Sequence, residues 1–192
     1  MFPLVADLRG RRVVVIGAGR VGVEKASTLL ECGALVTMIS EQVLAPLPEG
    51  LDRVLIRPYE PGDLDGALLV VAATANATAN DEIVQEANER GVLVNVVDDL
   101  ARSNFYFTAN YRDGDVLVSV STAGASPALA QWVRDRVAGA LPKNLARVAR
   151  ELRRERSRLH DAGESTERRP WAQRVVELVE ETGDGEGSRT RA

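Results

Sequence analysis

The chain has 192 residues, of which 45% are hydrophobic and 27% charged, and a formal net charge of −4. This size and composition fit one globular domain with a small appendage and exclude a disordered chain, and the weak acidity argues against nucleic-acid or polybasic membrane partners. A single cysteine, Cys32, excludes internal disulfides and metal fingers. With an N-terminal apolar stretch too short and too charged to be a signal peptide or membrane span, we expect a cytoplasmic protein.

The first forty residues predict a strand, a helix and a second strand. Residues 13–16 are a β-branched run, typical of a strand buried on both faces of a parallel sheet. An apolar stripe over 20–32 predicts a helix that ends at Gly33, and 35–39 predicts the next strand. The crossover of such a βαβ unit is right-handed almost without exception.

The same alternation continues to residue 97. Apolar runs predict strands at 54–56, 67–73 and 92–97, and an apolar face predicts a helix over 80–90. Five strands with helical crossovers indicate an α/β fold, a Rossmann-like doubly wound parallel sheet. Such sheets bind ligands outside the carboxyl ends of their strands.

The pattern changes after the fifth strand. Runs at 105–107 and 116–120 flank a turn at 112–115 and predict a hairpin. Ser126 followed by proline predicts a helix N-cap, and the helix that follows carries one apolar face. That face consists of Leu129, Trp132, Val133 and Val137.

Two more helices are predicted towards the end of the chain. In residues 145–160 apolar side chains recur at helical spacing within an Arg-rich stretch. Glutamates alternate with these arginines, which favours a solvated, salt-bridged face over a polyanion-binding site. A polar linker at 161–169 precedes a second amphipathic helix, and 183–192 are predicted to be disordered. The net charge is −6 over 1–142 and +2 over 143–192, which indicates a boundary near Pro142.

A glycine motif follows the first strand and opens the first helix. In Gly17-Ala18-Gly19-Arg20-Val21-Gly22 the first glycine permits a tight turn, the second a close approach to a pyrophosphate, and the third close helix packing. The amides of the helix N-terminus then face the phosphates. This context favours dinucleotide binding over a merely structural glycine turn.

Glu41 stands where the acidic residue that binds the adenine ribose is expected, slightly past the predicted second strand. In that role it would favour NAD over NADP by accepting from the ribose hydroxyls. The other interpretation is a solvated loop glutamate. No arginine stands at that turn to receive a 2′-phosphate.

Two carboxylates, Asp98 and Asp99, follow the fifth strand beside the expected crevice. A carboxylate there could act as a general base or ligate a divalent cation, or it could simply cap a turn. His160 is the only histidine, which excludes a His-based metal site and favours a surface or interface role. The glycine- and hydroxyl-rich turn at 121–125 is a candidate anion cradle, whereas Ser126 is explained as a cap.

These motifs together resemble the precorrin-2 dehydrogenase and sirohydrochlorin ferrochelatase family, which includes the N-terminal half of siroheme synthases. The resemblance spans residues 2–155. It is carried by FPLVADLRGRRVVVIGAGRVG, VVAATANATAND, VNVVDD, NFYF, VSVSTAGASPALA and LPKNLA. The family implies NAD-dependent oxidation of precorrin-2 to sirohydrochlorin, and in some members ferrous iron is then inserted as a substrate.

The resemblance also implies residue roles. The family's pivotal aspartate falls on Asp98, for dehydrogenation, chelation or both, and a position phosphorylated in some relatives falls on Thr122. The predicted cofactor-binding residues are Gly17, Gly19, Arg20, Val21, Gly22, Glu41, Gln42 and Thr74. The predicted substrate-binding residues are Asn95, Ser121, Thr122 and Gly124.

From these motifs we expect an NAD-binding domain over 1–100, a dimerisation and substrate segment over 101–141, and a helical region over 142–182. The expected partners are a tetrapyrrole substrate and a second copy of the chain, paired through the apolar faces of 126–139 and 145–159. The alternative is a non-catalytic NAD(H)-sensing module that acts through a partner.

Overall fold

The computed structural model describes residues 1–167 and 169–181. The chain divides into two compact units, Met1–Tyr106 and Phe107–Ala192, and each is described by itself. The predicted disordered tail, 183–192, lies outside the described residues. In the described part of the chain, no helix is long and apolar enough to cross a membrane.

The first unit is built on one five-stranded parallel sheet. Its strands lie in the order β3-β2-β1-β4-β5, so the first strand of the sequence is central. This order confirms the predicted doubly wound Rossmann-like sheet. In chain order the elements are β1 (Arg12–Ala18), α1 (Arg20–Glu31), β2 (Leu35–Val43), β3 (Arg53–Leu55), β4 (Leu69–Ala72), α2 (Ala77–Arg90) and β5 (Leu93–Val96).

The apolar strands are buried because helices cover both faces of the sheet. Val14 and Ile16 of β1 belong to a cluster with Ile83 of α2 and with Leu64 from the turn before β4. Helix α1 forms the first crossover and covers the other face of the sheet, where its Ala26 and Leu29 are buried. Right-handed crossovers place α1 and α2 on opposite faces, since β2 and β5 lie on opposite sides of the centre.

The prediction of helical crossovers is correct for α1 and α2 and wrong for the two connections around β3. Residues 44–52 and 56–68 contain turns but no helix. Each connection contains two prolines, which lack an amide hydrogen and disfavour helix in the residue before them. The strand bounds also differ, since β2 extends to Val43, four residues beyond the prediction.

Within 107–167 and 169–181, the second unit contains a two-stranded antiparallel sheet and three helices. Its elements are β6 (Ala109–Asp113), β7 (Val116–Val120), α3 (Pro127–Ala140), α4 (Leu145–Asp161) and α5 (Trp171–Glu180). The predicted hairpin turn is confirmed, with Gly114 in the left-handed region at φ +58°. The Ser126 hydroxyl caps α3 by accepting from the Leu129 amide at 3.2 Å, as predicted.

The prediction of a strand at 105–107 is wrong, because Phe105 and the preceding Asn104 cover the edge of the first unit's sheet instead. The Asn104 amide donates to the Val94 carbonyl at 2.9 Å, and the Val94 amide donates to the Asn104 side chain at 2.7 Å. Strand β5 is an edge strand whose outer backbone groups need partners. These contacts satisfy them, and the hairpin therefore begins only at Ala109.

Ion pairs join the last two helices. Arg174 of α5 donates from Nη2 and Nε to Glu155 of α4 at 2.8 and 2.9 Å, and Arg147 donates to the Leu178 carbonyl at 2.5 Å. Within α4, Arg154 pairs with Glu151 at 2.9 Å. The Arg-rich stretch is thus a salt-bridged surface.

Candidate functional site

The glycine loop between β1 and α1 is shaped by two close backbone approaches. Gly17 has φ +105°, and a Cβ added there would lie 2.7 Å from the Ala73 carbonyl carbon. A Cβ added at Gly22 would lie 3.0 Å from the Gly17 carbonyl carbon and closer still to its oxygen. Side chains are excluded at both positions, so the predicted reasons for these glycines are confirmed in the geometry.

Gly19 differs from its two neighbours in the motif. It is the N-cap of α1, no side chain caps the helix there, and a Cβ added to it would meet nothing within 4 Å. The backbone at this point therefore borders open space rather than protein. Uncapped amides and the positive end of the helix dipole make this a suitable place for a phosphate group.

A cleft of about 580 Å³ lies at the carboxyl ends of the strands, beside this helix N-terminus. Five predicted cofactor residues line it: Gly17, Gly19, Glu41, Gln42 and Thr74. The other three, Arg20, Val21 and Gly22, form the first turn of α1. The structure thus gathers the sequence-predicted cofactor residues around one cleft.

The sequence pattern placed Glu41 slightly past the second strand, but in the structure Glu41 lies inside β2. The neighbouring Ser40 hydroxyl accepts from the Ala18 amide at 3.1 Å and donates to the Gln42 carbonyl at 2.7 Å. These bonds tie the end of β2 to the glycine loop across an irregular pairing between Ala18 and Val43. The exposed Glu41 is therefore carried on backbone whose position is fixed.

Sequence reasoning missed the residues that the end of β3 brings to the cleft. Arg57 and Tyr59 line it, and so does Glu82 of α2. The sequence pattern points to a phosphate-binding arginine only at the end of β2, where none stands. Since β3 pairs in parallel with β2, its carboxyl end faces the same crevice, and this topology is the signal that could have found Arg57.

The loop after β4 is held by its own polar side chains. The Thr74 hydroxyl accepts from the Asn76 amide at 3.1 Å, and the Asn80 amide group donates to the Thr74 carbonyl at 3.1 Å. Asn76 also caps α2 by accepting from the Ala79 amide at 3.2 Å. Thr74 therefore borders the cleft from a loop whose backbone is fixed on both sides.

The two aspartates after β5 have different surroundings. Asp99 accepts from the Arg102 amide at 3.1 Å and from its Nε at 2.7 Å, and hydrogen bonds from Arg102 hold the pKa of Asp99 below its ordinary value. Arg102 also pairs with Asp81 at 2.6 Å. Asp99 thus has the turn-capping role that the sequence left open for either residue.

Asp98 is the exposed member of the pair. Its backbone is in the left-handed region at φ +60°, which is uncommon outside glycine, although aspartate tolerates it. No side chain within 1–167 or 169–181 donates a hydrogen bond to its carboxylate. Just before it, the Asn95 amide group donates to the Phe105 carbonyl at 3.1 Å, so Asn95 holds the segment that covers β5.

The hydroxyl-rich turn lies in the second unit and is closed on itself. The Thr122 hydroxyl accepts from the Ser126 amide at 3.2 Å and donates to its carbonyl at 3.0 Å. The Ser121 hydroxyl accepts from the Ala123 amide at 3.2 Å, and Gly124 is left-handed at φ +81°. An anion-binding role for Ser121, Thr122 and Gly124 stays a prediction.

A protein-held metal centre finds no support in the described ranges. There, no group of three or more histidine, cysteine or carboxylate side chains is placed to hold an ion. His160 is exposed in the last turn of α4.

A parallel sheet with a glycine loop at the end of its central strand defines a dinucleotide-binding α/β protein. The family model NAD_binding_7, described as "Putative NAD(P)-binding", matches residues 4–109, over half of the chain, and the chain belongs to this family. A second model, described as "Sirohaem biosynthesis protein central", matches residues 113–140.

Several relatives carry the name siroheme synthase. The chain is 39% identical over 146 residues to Siroheme synthase 2 of Aeromonas salmonicida, a match that covers 75% of this chain and 30% of the relative. It is 38% identical over 152 residues to Siroheme synthase 1 of Cronobacter sakazakii, covering 77% and 32%. The chain thus spans about a third of the length of these relatives.

Among solved structures, the fold is similar to that of "SirC, precorrin-2 dehydrogenase". The TM-score is 0.68, the identity is 24%, and the match covers 96% of this chain and 90% of that one. This likeness extends over both units in sequence and establishes the fold.

Proposed function

We propose that the protein is a dehydrogenase that uses NAD to oxidise precorrin-2 to sirohydrochlorin in siroheme biosynthesis. The observation that carries the proposal is the pairing of a dinucleotide cleft with an exposed carboxylate, Asp98, at the carboxyl-end edge of the same sheet. Relatives named siroheme synthase over three quarters of the chain support the substrate class.

The residues of the cleft fit NAD. The backbone at Gly19 borders open space beside uncapped amides of α1, which would hold the pyrophosphate. The exposed Glu41 would accept hydrogen bonds from the ribose hydroxyls and repel a 2′-phosphate. When bound, NAD supplies the acceptor for the hydride that leaves the substrate.

Oxidation of this kind also releases one proton from the substrate, and Asp98 is proposed to accept it. Its carboxylate is solvent-exposed and takes no hydrogen bond from the described residues, so its lone pairs are available. The left-handed backbone at Asp98 is strained by about 1 kcal/mol, as is common where a turn must aim a functional side chain.

The decisive assay mixes the purified protein with precorrin-2 and NAD and follows the absorbance of NADH and sirohydrochlorin. We expect turnover by the wild type and at least a hundredfold loss of kcat for Asp98→Asn with unchanged NAD affinity, since general-base catalysis contributes about 10²–10⁴-fold. Asp52→Asn, an equal change of charge at an exposed residue just before β3, at the end of the sheet opposite the cleft, is the matched control and should keep its activity.

Two outcomes would contradict the proposal. Wild-type protein that binds NAD but does not turn over precorrin-2 would exclude the reaction, and full activity of Asp98→Asn would exclude the role of the carboxylate. A non-catalytic NAD(H)-sensing module instead requires that Asp98→Asn be tolerated and that NADH change the oligomeric state.

Insertion of ferrous iron into sirohydrochlorin is a second candidate activity, favoured by the same exposed carboxylate. Iron enters this reaction as a substrate, and Asp98 would accept the pyrrole protons that it displaces. Supplying sirohydrochlorin and ferrous iron without NAD tests this activity alone. A rate equal to the spontaneous one would leave only the dehydrogenation.

We also propose a homodimer formed through the second unit. Leu129 and Trp132 of α3 are 49% and 61% exposed, although they belong to the apolar face of that helix. Burial of such a face by a second copy would remove it from water. In this arrangement residues 1–100 bind the cofactor, 101–141 provide substrate and dimer contacts, and 142–182 are helical support.

A further inference from the structure

One wall of the cleft is formed by residues 57–59, which follow β3. The function proposed above assigns no role to this wall. Arg57 lies on this wall and lines the cleft together with Glu41 and Glu82. An arginine near the adenine ribose is the usual means by which Rossmann proteins accept the 2′-phosphate of NADP. The chain therefore brings to this site an arginine of the type that should favour NADP.

Arg57 is already paired with a carboxylate of the protein. Its Nη1 and Nη2 donate to the two oxygens of Asp63 at 2.8 and 2.6 Å, and Nη1 also donates to the Pro58 carbonyl at 2.9 Å. Glu60 stands 3.7 Å from the same guanidinium. A bidentate pair of this kind is geometrically specific and stronger than a single surface contact.

The pair is rigid because Asp63 is held from several directions. Its side chain is 11% exposed, it accepts from the Glu60 amide at 2.9 Å, and Arg12 donates to its carbonyl at 2.9 Å. Burial raises the pKa of Asp63, but the bonds from Arg57 and the Glu60 amide outweigh it and leave the pKa below its ordinary value. Asp63 therefore stays charged.

The turn that carries Asp63 is itself tied to α2. The buried Glu86 carboxylate accepts from the Gly62 amide at 3.0 Å and from the Tyr59 hydroxyl, and it pairs with Arg90 at 2.7 Å. Arg57 and its partner are thus set in place before any ligand binds. The pair with Asp63 and the bond to Pro58 use three of the five N–H donors of the guanidinium, so fewer remain for a phosphate.

The charges that line this end of the cleft are then dominated by carboxylates. Asp63 offsets the charge of Arg57, and two further acidic residues, Glu41 and Glu82, line the same cleft. A 2′-phosphate would meet acidic side chains and an arginine that is already paired. Repulsion at such a site gives specificity without a direct contact to the favoured ligand.

We propose that Asp63 is a specificity-determining positioning residue, which sequesters Arg57 in an ion pair and so keeps the cleft selective for NAD over NADP. The inference rests on the dinucleotide site proposed above and deepens it. Selectivity then depends on two groups, Glu41 directly and Asp63 through Arg57.

The test measures the Kd of NAD and of NADP by calorimetry for the wild type and Asp63→Asn. The asparagine keeps an oxygen for the Glu60 amide and removes the charge. We expect the affinity for NADP relative to NAD to rise at least about tenfold, the effect of one new charge-assisted bond to a phosphate. The double variant Arg57→Gln with Asp63→Asn should lose this gain.

Asp65→Asn is the matched control, because Asp65 lies two residues away, is exposed, and pairs with Arg90 rather than Arg57. It should leave the ratio of the two Kd values within about twofold of the wild type. Asp63→Ser, which also keeps an acceptor for the turn, serves as a second variant if the asparagine variant does not fold.

An unchanged ratio in a folded Asp63 variant would overturn the inference. A gain that persists in the double variant would also overturn it, since the effect would then not depend on Arg57. If the wild type binds neither nucleotide, the cofactor site itself is refuted and the inference with it. Tight NAD binding with unchanged ratios refutes the inference alone.

Discussion

The same substitution at two glycines of the motif should affect different properties, stability at Gly22 and NAD affinity at Gly19. Gly22→Ala adds a methyl group 3.0 Å from the Gly17 carbonyl carbon and 3.4 Å from the Ala73 side chain. Gly19→Ala adds one that meets nothing within 4 Å, at an ordinary φ of −82°. The first change disturbs packing inside the protein, whereas the second changes only the wall of the cleft.

The expected magnitudes follow from these distances. At Gly22 the contact is with backbone, so α1 must shift by about 1 Å, and overpacking of this kind costs about 1–3 kcal/mol. The better helix propensity of alanine offsets about 1 kcal/mol of that cost. Because the added Cβ would lie nearest to the Gly17 carbonyl oxygen, the cost falls at the upper end of that range. We therefore expect Gly22→Ala to lower the free energy of unfolding by about 2 kcal/mol, and Gly19→Ala to change it by less than about 0.5 kcal/mol.

Urea unfolding and NAD titration together separate the two effects. Gly19→Ala should fold normally and lose at least about tenfold in NAD affinity, because its methyl group occupies the space that the pyrophosphate needs. Gly22→Ala should show reduced stability even without NAD. Wild-type NAD affinity in Gly19→Ala would refute the assignment of the cleft, and wild-type stability in Gly22→Ala would refute the packing argument.

Three further outcomes follow from particular contacts. Glu86→Gln should lower the free energy of unfolding by about 2 kcal/mol at neutral pH, because the carboxylate holds Tyr59 and the Gly62 amide. Burial raises the pKa of Glu86, but its hydrogen bonds and Arg90 lower it by more, so the net pKa is below the ordinary value of 4.5. This stabilisation is therefore present above about pH 4.5 and is lost as the pH falls below it. Urea titrations of the wild type and Glu86→Gln should show a smaller difference in stability at acidic than at neutral pH. Trp132→Ala should weaken self-association in sedimentation equilibrium if α3 forms the dimer contact, and an unchanged dimer would place the interface elsewhere. Ser126→Ala should cost about 1 kcal/mol of stability by removing the cap on α3, and no loss would mean that the cap contributes nothing.

The local features of the fold were readable in the sequence. The β-branched run of β1 and the glycine that ends α1 each depend on residues close together in the chain. The same is true of the Ser126 cap. Residues 105–107 show the limit, because their aromatic and apolar character fits a strand equally well whether it pairs in a hairpin or covers the edge of β5.

The candidate site was partly readable as well. The glycine motif and Glu41 were identified from spacing, and they lie on one cleft. The residue pattern did not distinguish the two aspartates after β5, although the family resemblance assigned the pivotal role to Asp98. Only the folded turn separates them, since Asp99 turns back to Arg102 while Asp98 is held outward by its left-handed backbone.

Periodicity and glycine spacing are encoded by neighbouring residues, so they were enough to predict a parallel sheet with a glycine loop after its first strand. The residues that face this loop depend on how elements distant in the chain pack together. Arg57 reaches the cleft because β3 lies beside β2, and it is paired because a turn held by α2 presents Asp63. Such contacts join residues that no local pattern relates, and the order of the strands brings them together.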